Sequence, residues 1–305
     1  MITRRLLLAS AAALAFAAPA FAQERLNVIA TFSILGDIVA NVGGDRVKVT
    51  TLVGPDGDAH VFQPAPADAQ AVASAKVVFV NGLGFEGWMD RLIASAEYNG
   101  PVVVASEGVT PRTFDDDAHD AGQEGHDHEH GTDPHAWQSV ANAEIYTRNI
   151  AAGLAAADPA GAATYEANSA AYLAELATLD AEVKAAIAAL PEDRRTIVTS
   201  HDAFGYFGAA YGMIFKAPQG ISTESEASAA DVAALITQIR EDKIPAVFME
   251  DISDPRLLDQ IAAETGAKIG GTLYSDALSP ADGPAATYLT MMRHNIGEFT
   301  AALSQ

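Results

Sequence analysis

The sequence predicts an α/β protein of two lobes, each a mainly parallel four-stranded sheet flanked by helices, joined by one long rigid helix. Three observations carry that reading. Short β-branched runs alternate with helical stretches, the alternation occurs on both sides of an Ala-rich helical segment, and 305 residues exceed the usual extent of a single core.

In the first half the strand-like runs are LNVIATF (26–32), VKVTTLVG (47–54), KVVFVNG (76–82) and PVVVASE (101–107). Between them, SILGDIVANV (33–42), PADAQAVASA (66–75) and FEGWMDRLIASA (85–96) read as helices. Buried strands separated by helices imply βα units and a parallel sheet. From Gly161 to Leu190, Tyr165, Tyr172, Leu173, Leu176, Leu179, Val183, Ile187 and Leu190 recur near helical spacing, and Pro191 ends the run. A helix of that extent is a rod of about 45 Å. The lobes it joins are therefore expected to move little relative to each other. The second half repeats the scheme with TIVTSH (196–201), MIFKAP (213–218), AVFMED (246–251) and AKIGGTLY (267–274), and with helices at 228–243, 254–266 and 285–303. The expected division is a first lobe over 23–158, a linker helix over 159–191 and a second lobe over 192–305.

The N-terminus predicts export. Arg4 and Arg5 precede an apolar stretch from Leu6 to Ala18, and Ala20-Phe21-Ala22 is a small-x-small cleavage pattern, so residues 1–22 read as a signal peptide. The apolar stretch is short of the roughly 20 residues that span a bilayer. The paired Arg fit a twin-arginine signal or a general secretory one. With no Cys, a disulfide framework, a thiolate metal site and a lipid-modified Cys are all excluded, which favours a soluble, unanchored periplasmic protein. Loss of Arg4 and Arg5 takes the formal charge from −22 to −24, a surface that repels nucleic acid and attracts cations. A monomer with no nucleic-acid partner is expected.

Five of the eight His lie between His119 and His135, where the chain reads GHDHEHGTDPHAW from Gly125 to Trp137. Neutral imidazole is the commonest protein ligand for a borderline-soft divalent cation, so this concentration points to Zn²⁺ or a close relative. The segment 112–131 has no apolar face and is expected to be disordered without metal. Ordering such a loop around an ion costs conformational entropy, so His119, His126, His128 and His130 form an accessory, low-affinity set.

A durable site needs ligands at strand ends, where loops converge in open α/β sheets. His60 lies in the loop GPDGDAHVFQPAP, His135 follows Asp133-Pro134, His201 ends the run TIVTS, and Asp276 follows TLYS. Two candidates thus come from each half. Singly, each has a plain structural reading, such as a surface His for His60 or a helix cap for Asp276.

The stretches GDAHVFQPAPAD (57–68), VFVNGLGFEGWMD (78–90), DPHAWQS (133–139), SHDAFGYFGAAYG (200–212), GISTESEAS (220–228) and LYSDALS (273–279) resemble the metal-specific solute-binding proteins of bacterial ABC importers, the ZnuA-like zinc/manganese-binding cluster. The resemblance runs through nearly all of the chain beyond the leader. It implies a periplasmic receptor that captures a transition metal between two lobes and delivers it to an ABC membrane permease. The family's ligand positions fall on His60, His135, His201 and Asp276, and manganese-type members often carry Glu at the third, where this chain has His201. Three imidazoles and one carboxylate suit tetrahedral Zn²⁺, whereas Mn²⁺ prefers more oxygen donors. Zinc is the expected cargo, with Mn²⁺ or iron the alternative. Acid is expected to weaken binding as the imidazoles protonate near about 6.5.

In the family a His-rich, acid-rich insertion precedes the second ligand, and here it would act as an antenna for metal. A periplasmic metallochaperone is a possible loading partner. Glu86, Glu224, Glu226 and Glu250 resemble family acids with no metal contact assigned to them, support behind the ligands and docking to the permease being equal readings; His294 reads as structural, and Met291 and Met292 as packing residues. A secreted zinc hydrolase is the main rival of another class, but neither H-E-x-x-H nor G-x-S-x-G is present and Asp276 is available to close the site. A metal buffer or surface adhesin that never docks to a permease is the second.

Overall fold

Strands β1 (Leu26–Phe32), β2 (Val47–Val53), β3 (Val77–Val80) and β4 (Val102–Val104) pair in parallel in the order β2-β1-β3-β4. β5 (Thr196–Val198), β6 (Ile214–Lys216), β7 (Ala246–Glu250) and β8 (Lys268–Leu273) form a second parallel sheet in the order β6-β5-β7-β8. The computed structural model describes residues 25–113 and 131–304; the predicted leader and His119, His126, His128 and His130 lie outside them. In both sheets the first strand lies between the second and the third, so successive crossovers leave it in opposite directions. A crevice forms at such a reversal, beyond the carboxyl ends of the strands.

The helices are α1 (Ser33–Gly43), α2 (Pro66–Ala73), α3 (Met89–Ser95), α4 (Val140–Ala157), α5 (Ala162–Ala188), α6 (Gly205–Tyr211), α7 (Ala229–Asp242), α8 (Arg256–Thr265) and α9 (Tyr288–Leu303). α5 spans about 40 Å for its 27 residues. Its buried face is Tyr165, Ser169, Tyr172, Leu176, Leu179, Val183 and Ile187, at steps of three or four that keep one stripe inward. That stripe packs on α1 and α4 from the first half and on α6 and α9 from the second. One apolar core accordingly runs from Val28 and Phe79 through Leu176 to Phe207 and Met291, while Leu235, Ile239, Val247 and Ile261 form a smaller core on the outer side of the second sheet. Met291 and Met292 are fully buried in the larger core, and His294 makes a 2.8 Å contact with Thr272 O.

Two differences from the sequence reading bear on the site. α4 is absent from the expected elements, although Tyr146, Ile150 and Leu154 fill its buried face at four-residue spacing. The expected helix over 85–96 begins only at Met89. Gly82 and Gly84 take φ of +85° and +83°, so the chain leaving β3 turns sharply before it can wind into α3. The Glu86 carboxylate braces that turn, accepting from Thr31 Oγ1 (2.6 Å), Asn81 N (2.6 Å) and Gly82 N (3.2 Å). No helix among the described residues is long and apolar enough to cross a membrane.

Candidate metal centre

The loop after β2 carries His60, the loop before α4 carries His135, His201 lies just beyond β5, and Asp276 lies just beyond β8. The structure brings all four together, with one ligand atom from each within 4.8 Å of the others. His60 Nε2 lies 3.2 Å from His135 Nε2 and 3.1 Å from Asp276 Oδ2. His201 Nε2 lies 3.2 Å from Asp276 Oδ2, and His135 Nε2 lies 3.6 Å from Asp276 Oδ1. Three residues are fully buried, and His60 is 7% exposed.

A carboxylate backs two of the three imidazoles on the opposite nitrogen. Asp133 Oδ1 lies 2.8 Å from His135 Nδ1 and also accepts from the backbone N–H of His135 at 2.9 Å. Glu250, the last residue of β7, accepts from the backbone N–H groups of Ser200 and His201 at 2.7 and 2.9 Å through Oε1. Its Oε2 lies 2.7 Å from His201 Nδ1, a close electrostatic contact without hydrogen-bond alignment. Asp133 fixes the His135 ring with Nε2 inward, the arrangement that orients metal-binding His, and Glu250 places a charge behind Nδ1 of His201. Sequence reasoning assigned neither. Asp133 was legible only as part of Asp-Pro-His, and the partnership of Glu250 with His201 depends on β5 and β7 being neighbours.

An aromatic wall encloses the imidazoles. The Phe85 ring stands 4.8 Å from that of His60, Trp137 stands 5.3 Å from His135, and Phe32, Phe85 and Trp137 meet at centroid distances of 4.9 Å. Trp137 Nε1 and Gln138 Nε2 donate to Ser275 O at 2.9 and 2.7 Å, fixing the residue beside Asp276.

Both Asp276 oxygens and His201 Nε2 are buried without a hydrogen-bond partner, although they crowd one another. Buried polar groups of this kind call for a partner at their common centre. Burial opposes charge on Asp276, but His135 and His201 hold its carboxyl well below the usual carboxylate range. Burial likewise opposes a proton on His135, yet Asp276 and Asp133 outweigh it and raise the imidazole to about 9. His201 is also raised, against burial, by Glu250 and Asp276. Both shifts run upward from 6.5, because the anionic frame of Asp133, Glu250 and Asp276 makes these two imidazoles stronger bases.

Of the other acids, Glu86 braces the turn after β3, while Glu224 and Glu226 are exposed. None of these three belongs to the cluster, and neither does His294.

Residues 28–302 match the family described as zinc-uptake complex component A, periplasmic. The manganese-binding lipoprotein MntA of Halalkalibacterium halodurans is 34% identical over 282 residues, covering 92% of this chain and 90% of that protein. The iron-binding protein YfeA of Yersinia pestis is 33% identical over 298 residues, covering 98% of this chain and 93% of that protein. The periplasmic zinc-binding protein TroA of Treponema pallidum superposes with a TM-score of 0.83 at 31% identity, over 92% of this chain and 100% of that one. These are receptors and not enzymes, and the two-lobe architecture with its central helix is theirs. By the match through both lobes, the chain belongs to this family of substrate-binding proteins of metal ABC transporters.

Proposed function

We propose that this protein captures Zn²⁺ through His60, His135, His201 and Asp276 and delivers it to an ABC permease. The observation that supports zinc is the donor set itself, three imidazoles and one carboxylate gathered at one buried point. A tetrahedral ion with ligands about 2.0 to 2.1 Å away needs donor atoms about 3.3 to 3.4 Å apart. Four of the donor separations, three of them to one or other Asp276 oxygen, run from 3.1 to 3.6 Å, and all four ligand atoms lie within 4.8 Å of one another. Asp276 fills the fourth vertex, so no position is left for the water a hydrolase would activate.

Manganese or iron is the second reading, and a specific observation favours it. Asp276 turns both oxygens inward, Oδ1 toward His135 and Oδ2 toward His60 and His201. Bidentate ligation would add the oxygen donor that Mn²⁺ prefers, and relatives are named for both metals.

We further propose an unanchored monomer in the periplasm, divided as the sequence reading divides it. The H. halodurans relative is named a lipoprotein, which runs against the first point; the 305 residues here hold no Cys to carry lipid. His119, His126, His128 and His130 act as an antenna, and deleting 115–130 is expected to slow zinc loading and leave affinity intact. Unchanged loading would remove that role. The delivery step is tested by zinc accumulation in cells with and without the protein, together with binding to detergent-solubilised permease. Equal accumulation and no complex would leave a buffer, and zinc import would lose its support.

A further inference from the structure

Behind the four-residue centre, the halves are joined by buried hydrogen bonds: Trp137 Nε1 to Ser275 O, Leu278 N to Ser33 Oγ, and Tyr288 OH to Trp137 O. In front they face each other across a cleft of about 790 Å³, with His60, Phe85 and Pro134 on one side and Ile221, Ser222 and Glu224 on the other. Of the four clustered residues, His60 is the one that lines this cleft. Among the described residues, the way from this cleft to the centre passes His60, with the segment that connects β6 to α7 facing it.

That segment is held at two places. At its base, Asp202 N donates to Gly220 O at 3.2 Å and Gln219 N donates to Ser200 O at 3.4 Å, within the second half. At its tip, Thr223 Oγ1 crosses to the first half and donates to Asp58 Oδ2 at 2.6 Å. The other oxygen of the same carboxylate accepts from the backbone N–H of His60 at 2.9 Å. Asp58 thus links the cluster member that lines the cleft to the segment that faces it. A hydroxyl bonded to an ionised carboxylate is a charge-assisted bond, stronger than one between neutral groups.

We propose that Thr223 is a positioning residue that latches the 217–228 segment over the metal centre, so that its bond to Asp58 sets how fast an ion passes, separately from how tightly it is held. The proposal rests on the reading of the four residues as the metal site. Thr223 belongs to neither the cluster nor the aromatic wall. An ion that passes only when the cover lifts enters and leaves in proportion to the lifted fraction. Weakening the latch raises both rates by the same factor, and their ratio, Kd, stays put.

The test is stopped-flow zinc exchange on the purified protein: uptake from a weak chromophoric chelator and release into excess strong chelator. Thr223→Val keeps the branched shape and removes the donor, and is expected to raise both rates about tenfold, the scale of a lost bond to a charged group, with Kd little changed. Thr223→Ser restores the donor and is expected to return the wild-type rates. Asp58→Ala also frees the His60 backbone, so it should speed release more than uptake and weaken Kd. Wild-type rates in Thr223→Val would overturn the latch, as would a weaker Kd with uptake unchanged, which is the mark of damage at the centre. His201→Ala, run alongside, separates the two readings. Loss of tight zinc binding there with an inert Thr223→Val refutes the latch alone; zinc binding indifferent to His201 removes the site and the latch with it.

Discussion

Lowering the pH should weaken metal binding well above the range where an ordinary imidazole titrates. His135 is held at about 9 against burial by Asp276 and Asp133, so at neutral pH the metal-free centre carries a proton on that ring. An incoming cation must evict it. One proton displaced below its pKa weakens apparent affinity about tenfold per pH unit, or about a hundredfold from pH 8 to pH 6. His201 is raised as well, so a second displaced proton would steepen that dependence. An imidazole left at about 6.5 would change affinity less than about twofold between pH 8 and 7. The sign for the metal-free fold is opposite. A folded value above the unfolded 6.5 means that protonated His135 stabilises the fold fully below about pH 6.5, and that contribution is lost as pH rises through about 9. The assay is chelator competition at pH 6, 7 and 8, with the chelator's own protonation corrected, plus calorimetry in two buffers of different ionisation enthalpy to count protons released. Affinity flat from pH 8 to 7, with no proton released on binding, would refute the coupling of Asp276 to the imidazoles.

Three further outcomes are expected. Glu250→Gln removes the charge behind His201 and should weaken zinc binding about 10- to 100-fold; an unchanged Kd would mean that the short contact to Nδ1 does not orient the ring. Trp137→Ala empties a fully buried site against His135, Phe32 and Phe85 and should lower unfolding stability by about 3–5 kcal/mol in urea denaturation; a loss under about 1 kcal/mol would show that the wall refills. Metal-free and metal-loaded protein should give superimposable small-angle scattering, because α5 and one shared core tie the halves; a marked drop in radius of gyration on loading would contradict that.

Most of the architecture was legible because both sheets are built from β-branched runs whose ends are marked by Gly, Pro and polar residues, and because the buried stripe of α5 keeps helical spacing over its whole length. α4 was hidden by its composition: Ala surrounds Tyr146, Ile150 and Leu154, so the apolar stripe stands out poorly from its background. The four residues of the centre were legible as strand-end His and Asp together with the family resemblance. What supports them was not. Glu250 is 49 positions from His201 and meets it only because β7 lies beside β5. Thr223 is 165 positions from Asp58 and meets it only because the two halves face each other across the cleft. Side-chain contacts of that range are set by strand order and packing, which no local pattern records. The raised imidazoles follow from the same geometry, since Asp276, from another strand end, raises His135, and Glu250 together with Asp276 raises His201.

The central claim is tested most directly by titrating the purified protein with Zn²⁺ and Mn²⁺ in competition with a chromophoric chelator, for wild type and His201→Ala. One tight zinc site per chain, strongly weakened by the substitution, with far weaker manganese binding, is the predicted result. Manganese bound as tightly as zinc, or zinc binding indifferent to His201, would contradict it.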